Sequence, residues 1–213
     1  MAPKTATLPE TETSEQMKIN TYKVTCRGIS PILMNPATEE LLNQLDGGAG
    51  ARTPKDMVST PEQKAERKII RDENGNVGVP SSYLFSCLRE AGRRVPYDAK
   101  TKISTKESTI LPGLMSIVEI FIPFIDQDAK WEVDRRRGML PKDGTAVCIT
   151  RPRFNEWAFA VTIEVDEGQV SPGKIKELFK VAGRMVGLGD FRPSCNGQFG
   201  RFRVENWEKI KET

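Results

Sequence analysis

The sequence of 213 residues contains no histidine. It therefore lacks the side chain that most often acts as a general acid or base near neutral pH and most often binds metal ions. Its cysteines are few and widely spaced, with no C-x-x-C pair among Cys26, Cys87, Cys148 and Cys195. Such spacing does not predict a zinc site, and we expect neither a metal ion nor a cofactor.

Long apolar runs are missing as well. No segment approaches the roughly 20 apolar residues that a membrane span requires. Residues 1–16 lack the apolar core of a secretory signal. We therefore predict a cytoplasmic protein with free thiols, no membrane partner and a flexible tail over residues 1–16. Cys26 and Cys148 lie in apolar, strand-like stretches, which favours a place in the core for both.

An excess of one charge is also lacking, because 32 Lys and Arg oppose 29 Asp and Glu for a formal net charge of +3. The arginines are nevertheless clustered, as Arg93-Arg94, Arg135-Arg136-Arg137, Arg151 with Arg153, and Arg201 with Arg203. Any one cluster is typical of a solvated surface. Four clusters in one modest chain favour an anionic ligand.

The hydrophobic pattern predicts strands and helices in a definite order. A first strand covers residues 18–27, and a helix with a serine N-cap begins at Pro80-Ser81-Ser82 and extends over 82–93. Residues 114–125 form the strongest strand pattern. Two more strands follow in TAVCITRPR and WAFAVTIEVD, then a helix over 173–186 and a final strand. This order predicts an α+β, ferredoxin-like β-α-β-β-α-β fold, like that of RNA-recognition motifs.

Two long polar segments interrupt this plan. We expect a single domain over residues 17–213, with insertions at about 36–72 and 96–112. The first insertion contains a short helical pattern over residues 38–45, and the Asn74-Gly75 turn follows it. Both insertions look too loosely patterned to contribute to the core.

The segment 187–202 is the first candidate site. Gly187, Gly189, Gly197 and Gly200 permit positive φ angles and close backbone approach, so freed N–H groups could hold phosphates. Arg192, Arg201 and Arg203 add charge, and Phe191, Phe199 and Phe202 add rings. Arginine beside aromatic rings is the chemistry of single-strand binding. The alternative is an ordinary helix end and turn with the phenylalanines in the core, which we favour for Phe202.

The second candidate site is the helix start in 77–94. The serines Ser81 and Ser82 at a helix N-terminus could hold an anion, with Arg93 at the other end of the helix. An ordinary helix cap is the alternative.

Together these segments resemble the RAMP superfamily of CRISPR effector proteins. That family has a strand, Ile-Pro-Gly-Ser-Ser-Leu-Lys-Gly, helix and Arg motif, which Val79-Pro80-Ser81-Ser82-Tyr83-Leu84 through Arg89 matches. Its C-terminal glycine-rich loop is similar to Val186-Gly187-Leu188-Gly189 and Gly197-Gln198-Phe199-Gly200. Its opening after the first strand is similar to Arg27-Gly28-Ile29-Ser30-Pro31-Ile32-Leu33. The chain also resembles uncharacterised phage and prophage proteins on the same plan.

This resemblance implies non-catalytic binding of single-stranded RNA, similar to a guide RNA, or of single-stranded DNA. It also implies a backbone subunit that forms a homo-oligomer along the strand. The nucleic-acid-binding residues then include Arg151 and Arg153 besides those named above. RAMP endonucleases commonly use histidine, which leaves Asp46 and Tyr83 as weak catalytic candidates. An endoribonuclease, or a structural or inhibitory protein that contacts protein, stays an alternative.

Overall fold

The computed structural model describes residues 18–37, 59–139, 144 and 146–210. Its strands are β1 (Ile19–Gly28), β2 (Ile32–Leu33), β3 (Gly78–Pro80), β4 (Met115–Ile117), β5 (Phe121–Pro123), β6 (Trp131–Met139), β7 (Ala146–Phe154), β8 (Ala158–Asp166) and β9 (Phe202–Lys209). Its α-helices are α1 (Pro61–Glu66), α2 (Ser81–Gly92), α3 (Leu111–Leu114) and α4 (Pro172–Val181). A π-helical turn (Ala182–Val186) and a 3₁₀ turn (Pro193–Cys195) follow α4.

A four-stranded antiparallel sheet in the order β4-β8-β1-β9 forms the centre of the fold. Strand β1 alternates between buried and outward side chains, so Tyr22, Val24 and Cys26 all face the core. Helices α2 and α4 contact each other, and their apolar side chains share one cluster with β1 and β8. Both helices therefore lie on one face of the sheet, and the predicted ferredoxin-like plan is confirmed in the order β1-α2-β4-β8-α4-β9.

The two main helices begin differently. Helix α4 has Ser171 as its N-cap, whose side chain accepts a hydrogen bond from the Lys174 N–H at 3.3 Å, with proline at the first position. Helix α2 begins at Ser81, its N-cap is Pro80, and no side chain caps it. The predicted serine cap is wrong, because the residue at the cap position is proline, whose side chain has no hydrogen-bonding group. The Ser81 N–H donates to the Ile120 carbonyl oxygen at 2.9 Å.

Residues 114–125 do not form one strand. Strand β4 pairs with β8 as far as Ile117, after which the Glu119 carboxylate accepts the Thr162 N–H at 2.9 Å in place of a strand neighbour. Ile120 is 89% exposed at the bend, and β5 then pairs with β3 in a separate two-stranded sheet. The prediction of a single long strand is therefore wrong.

A hairpin that the sequence did not predict lies between β5 and β8. Strands β6 and β7 pair along their whole length, and β2 adds a third strand beside β7. Strand β6 contains Arg135, Arg136 and Arg137, all exposed. These residues were interpreted as a surface cluster because three consecutive charges hide a strand's alternation.

The 96–112 insertion does contribute to the core, contrary to prediction. Ile103 and Leu111 are fully buried and Ser104 is 1% exposed. In the 36–72 insertion, Ala65 and Ile69 are also buried. The helical pattern over residues 38–45 lies outside the described residues.

Cys26 is buried as predicted, but Cys148 is exposed on the hairpin, so its predicted place in the core is wrong. Among the described residues, no helix is long and apolar enough to cross a membrane.

Candidate nucleic-acid interface

The glycine loop, residues 187–201, closes tightly on itself between the π-helical turn and β9. Gly187, Gly189 and Gly200 have φ angles between +70° and +78°, a region that favours glycine. A Cβ at Gly200 would lie 1.7 Å from the Leu188 carbonyl oxygen, and one at Gly197 would lie 1.6 Å from that of Phe191. The glycines therefore let two passes of the loop backbone lie against each other.

This close packing consumes most of the loop's hydrogen-bond donors. The N–H groups that donate to acceptors within the protein are those of Gly187, Leu188, Asp190, Phe191, Cys195, Asn196, Gly197, Phe199, Gly200 and Arg201. For example, the Leu188 N–H donates to the Gly200 carbonyl oxygen at 2.9 Å, and the Gly200 N–H to that of Pro31 at 2.7 Å. The expected cradle of freed N–H groups is therefore not formed in this conformation.

The loop and α2 instead form the two walls of a cleft of about 590 Å³. Helix α2 contributes Tyr83, Ser86, Arg89, Glu90 and Arg93, and the loop contributes Gly187, Gly189, Asp190, Arg192 and Cys195. Apolar side chains, Ile32, Met34, Val79 and Leu188 among them, line it as well. The two segments singled out separately in the sequence thus meet at one place. Ser81, Ser82, Gly197, Gly200, Arg151, Arg153, Arg201 and Arg203 are not among the residues that line the cleft.

Arg151 is buried and joins the hairpin to the glycine loop. Its guanidinium donates to Asp134 on β6 at 2.9 Å and to Asp190 in the loop at 2.8 Å. Arg151 and Asp134 are 4% and 5% exposed, so this pairing lies almost entirely out of water. In this conformation Arg151 is not exposed, so its predicted contact with nucleic acid stays a prediction.

Most other predicted arginines already have partners. Arg153 pairs with Glu132, and Arg93 pairs with Glu90 at 2.9 Å. Arg192 donates to the Gly189 carbonyl oxygen at 2.9 Å. Arg203 lies 3.2 Å from Glu205, and the pKa of the Glu205 carboxyl is held below its usual value by hydrogen bonds from Arg27 and Arg203.

Three exposed arginines near the cleft and loop have no partner among the described residues. Arg89 lines the cleft from α2, Arg184 lies in the turn that leads into the loop, and Arg201 directly follows Gly200. Of these, only Arg201 was a predicted binding residue. Arg89 was recognised only as the end of the helix motif, and Arg184 had no distinguishing sequence signal.

A cluster of Phe191, Phe199 and Arg136 lies where the hairpin meets the loop. The two rings have centroids 6.1 Å apart, and the Arg136 guanidinium carbon lies 4.7 Å from the Phe199 centroid and 5.7 Å from that of Phe191. Phe202, by contrast, is 2% exposed and belongs to the core, as favoured from the sequence. Arg136 belongs to one of the four arginine clusters visible in the sequence, but its place beside these rings was not predicted because its strand was not.

Of the two weak catalytic candidates, only Tyr83 lies within the described residues. Tyr83 lines the cleft and is partly exposed, whereas Asp46 lies outside the described residues. Cys87 also borders the cleft, but burial raises the pKa of its thiol to about 12, which disfavours a thiolate nucleophile. Among the described residues, no group of three or more Cys, Asp or Glu side chains could hold a metal ion.

No family model matches this sequence. No curated protein matches it either. Among solved structures, the chain is similar to one in the cryo-EM structure of Type III-B Cmr-beta bound to cognate target RNA, with 13% sequence identity and a TM-score of 0.50. That match covers 92% of this chain, which spans 62% of the other chain's length.

The crystal structure of Cmr6 from Pyrococcus furiosus also matches, with 12% identity and a TM-score of 0.46, over 89% of this chain and 100% of that one. The similarity to the Type III-B Cmr-beta chain extends over nearly all of this protein. This chain therefore shares the fold of that Cmr-beta chain.

Proposed function

We propose that this chain binds single-stranded RNA along the cleft between α2 and the glycine loop, without cutting it. The observation that carries the proposal is the cleft itself, which joins the two motif segments beside unpaired, exposed Arg89. A phosphate attracts such a guanidinium strongly, since no carboxylate among the described residues neutralises it.

The phosphate contacts differ from those expected from the sequence. Arg89, Arg184 and Arg201 have no carboxylate partner among the described residues and can bind phosphates, and Arg93 and Arg192 line the cleft from opposite walls. Gly187 and Gly189 line the cleft as well, so the loop backbone forms part of its wall. Arg153 and Arg203 are less able to bind a phosphate, because each would first have to break its ion pair with a glutamate.

RNA is favoured over DNA by one comparison. The structure of Type III-B Cmr-beta, whose chain shares this fold, is described as bound to cognate target RNA. Non-cleavage is favoured by the sequence, because the complete absence of histidine removes the usual proton-transfer group.

The resemblance of the sequence to RAMP backbone subunits supports assembly of several copies along a long strand. The link from β4 to β5 exposes Val118 and Ile120, at 54% and 89%, at one edge of the central sheet. Such a patch suits a head-to-tail contact between copies. Light scattering with a long RNA should show complexes with more than one protein per strand, and a strictly one-to-one complex would contradict assembly.

The binding proposal is tested by fluorescence anisotropy with a labelled, uridine-only RNA about 20 nucleotides long, which exceeds typical single-strand site sizes. We expect saturable binding, weaker binding to a duplex of equal length, and intact RNA after incubation with magnesium or manganese. Equal binding to both, or none, would overturn the proposal. Cleavage that Tyr83→Phe or Asp46→Ala abolishes would instead establish a nuclease.

A further inference from the structure

The glycine loop holds two phenylalanine rings at the surface in a backbone conformation that costs free energy. Phe191 has a φ angle of +50°, which L-residues other than asparagine and aspartate rarely adopt. Its ring is nevertheless 37% exposed, so burial does not explain the conformation. Gly197 leaves the space that the Phe191 carbonyl needs, and the Phe199 N–H donates to that carbonyl at 3.3 Å. The loop therefore fixes both rings in place before any ligand arrives.

Arg136 is held beside these rings with part of its guanidinium unused. Its Nε donates to both carboxylate oxygens of Asp134, at 2.9 and 3.2 Å, and Asp134 is anchored in turn by buried Arg151. The two terminal nitrogens of Arg136 have no partner among the described residues, and the side chain is 41% exposed. The hairpin thus presents an oriented cation over the Phe191 and Phe199 rings.

We infer that Phe191, Phe199 and Arg136 form a stacking site for one unpaired nucleobase, with the terminal nitrogens of Arg136 on a neighbouring phosphate. An exposed ring offers the face on which any base can stack, and a free guanidinium supplies the charge that a phosphate needs. A purely apolar partner would leave those nitrogens unpaired. This inference rests on the proposed function, and it adds a contact to the base, whereas the cleft arginines contact the phosphates.

Two oligomers of equal length separate base stacking from phosphate binding. One is the uridine-only RNA, and the other is an abasic oligomer with the same sugar–phosphate spacing and no bases. We expect Phe191→Ala to weaken binding of the RNA about tenfold while leaving binding of the abasic oligomer unchanged. Phe191→Trp, which keeps a ring, should retain the affinity of the natural protein. Ile125→Ala is the matched control, because it removes a more exposed apolar side chain, 58% exposed, that does not line the cleft.

A fluorescence measurement on the natural protein tests base stacking without any variant. RNA with 2-aminopurine at successive positions should show quenched emission at one position on binding, as expected for a stacked base.

Arg136→Lys should weaken RNA binding because it loses the planar guanidinium, whereas Arg137→Lys on the same strand should not.

The outcomes distinguish this inference from the proposed function. If the natural protein binds the RNA, but Phe191→Ala has no effect or weakens both oligomers equally, the stacking site is wrong and the phosphate-binding cleft stands. If the natural protein binds neither oligomer, the proposed function fails and the stacking site fails with it. Selective loss of RNA binding together with site-specific quenching would support the stacking site.

Discussion

Cys148 shows how one side chain can depart from its sequence context. It lies on β7 between apolar neighbours, yet its thiol is exposed, and a hydrogen bond from Arg135 is the main cause that lowers its pKa. Alternation places it on the outer side of the hairpin, where an arginine from the adjacent strand reaches it. An apolar run in the sequence therefore did not distinguish a core thiol from a surface thiol.

This placement predicts the order in which the thiols react. Iodoacetamide should modify Cys148 and Cys195 in the folded protein, and Cys26 and Cys87 only after unfolding, because burial raises the pKa of both buried thiols. A lowered pKa means more thiolate at a given pH. The rate at which iodoacetamide modifies Cys148 should therefore rise at a lower pH than the rate for a free cysteine, whose pKa is about 8.5.

Peptide mass spectrometry over a pH series measures these rates. Arg135→Ala should shift the Cys148 profile to higher pH and leave Cys195 unaffected. Equal profiles for Cys148 in both proteins would show that Arg135 does not stabilise the thiolate.

The glycine loop depends on the absence of side chains at particular points. At Gly200 the φ angle is +70°, and a Cβ would lie 1.7 Å from the Leu188 carbonyl oxygen. A left-handed conformation alone costs an L-residue about 1–2 kcal/mol, and the clash adds to that. We expect Gly200→Ala to lower the free energy of unfolding by about 2 kcal/mol or more, measured by urea denaturation.

Gly113 supplies the matched control for this substitution. It lies exposed in α3 with no atom within 4 Å of a built Cβ, so Gly113→Ala should be nearly neutral. Similar losses for both variants would mean that glycine content, rather than the close contact at Gly200, determines stability.

The hairpin and the loop are joined by buried Arg151. Arg151→Met should destabilise the fold by about 3 kcal/mol, the lower end for a broken buried pair, because Asp134 keeps its bonds from Arg136. The loss of the ion pair with Asp190 adds little to this destabilisation, because Asp190 is 35% exposed and water can solvate it. Arg203→Met, which removes an exposed cation, should barely change the urea midpoint. A small change in the free energy of unfolding for Arg151→Met would show that the buried ion pair is not essential for holding the hairpin against the glycine loop.

The main elements could be predicted from the sequence because their patterns are local. Helices α2 and α4 carry clear apolar stripes. The bounds of α2 were predicted to within one residue, whereas the helix predicted over 173–186 is α-helical only to Val181 and continues as the π-helical turn. Strand β6 was missed because its centre is exposed and charged, and residues 114–125 were overpredicted because a side chain, Glu119, ends the pairing.

The candidate site was predictable only in part. The glycine positions and the α2 motif are visible in the sequence, and both indicated the walls of the cleft. The partners of its arginines are not visible, because Asp134, Arg151 and Asp190 come from three separate segments that only the folded chain brings together. Which cations remain free to bind phosphates is therefore a property of tertiary structure.

The whole molecule combines a ferredoxin-like sheet with a hairpin inserted between its second and third strands, β4 and β8. The insertion carries Arg136 and Arg151 to the glycine loop, so an element that the central fold does not require holds that loop and adds a cation beside its rings. The proposed function thus depends on the assembled chain and not on any single motif.

The salt dependence of RNA binding tests the central claim most directly. If Arg89, Arg184 and Arg201 contact phosphates, together they should contribute about −2 to the slope of log K against log salt concentration, at about −0.7 per phosphate on a single strand. The triple alanine variant should therefore flatten the slope of the natural protein by about two units. The control that replaces Lys23, Lys130 and Lys180, three exposed lysines that do not line the cleft, should leave it unchanged. Equal slopes for the natural protein and the arginine variant would contradict the account.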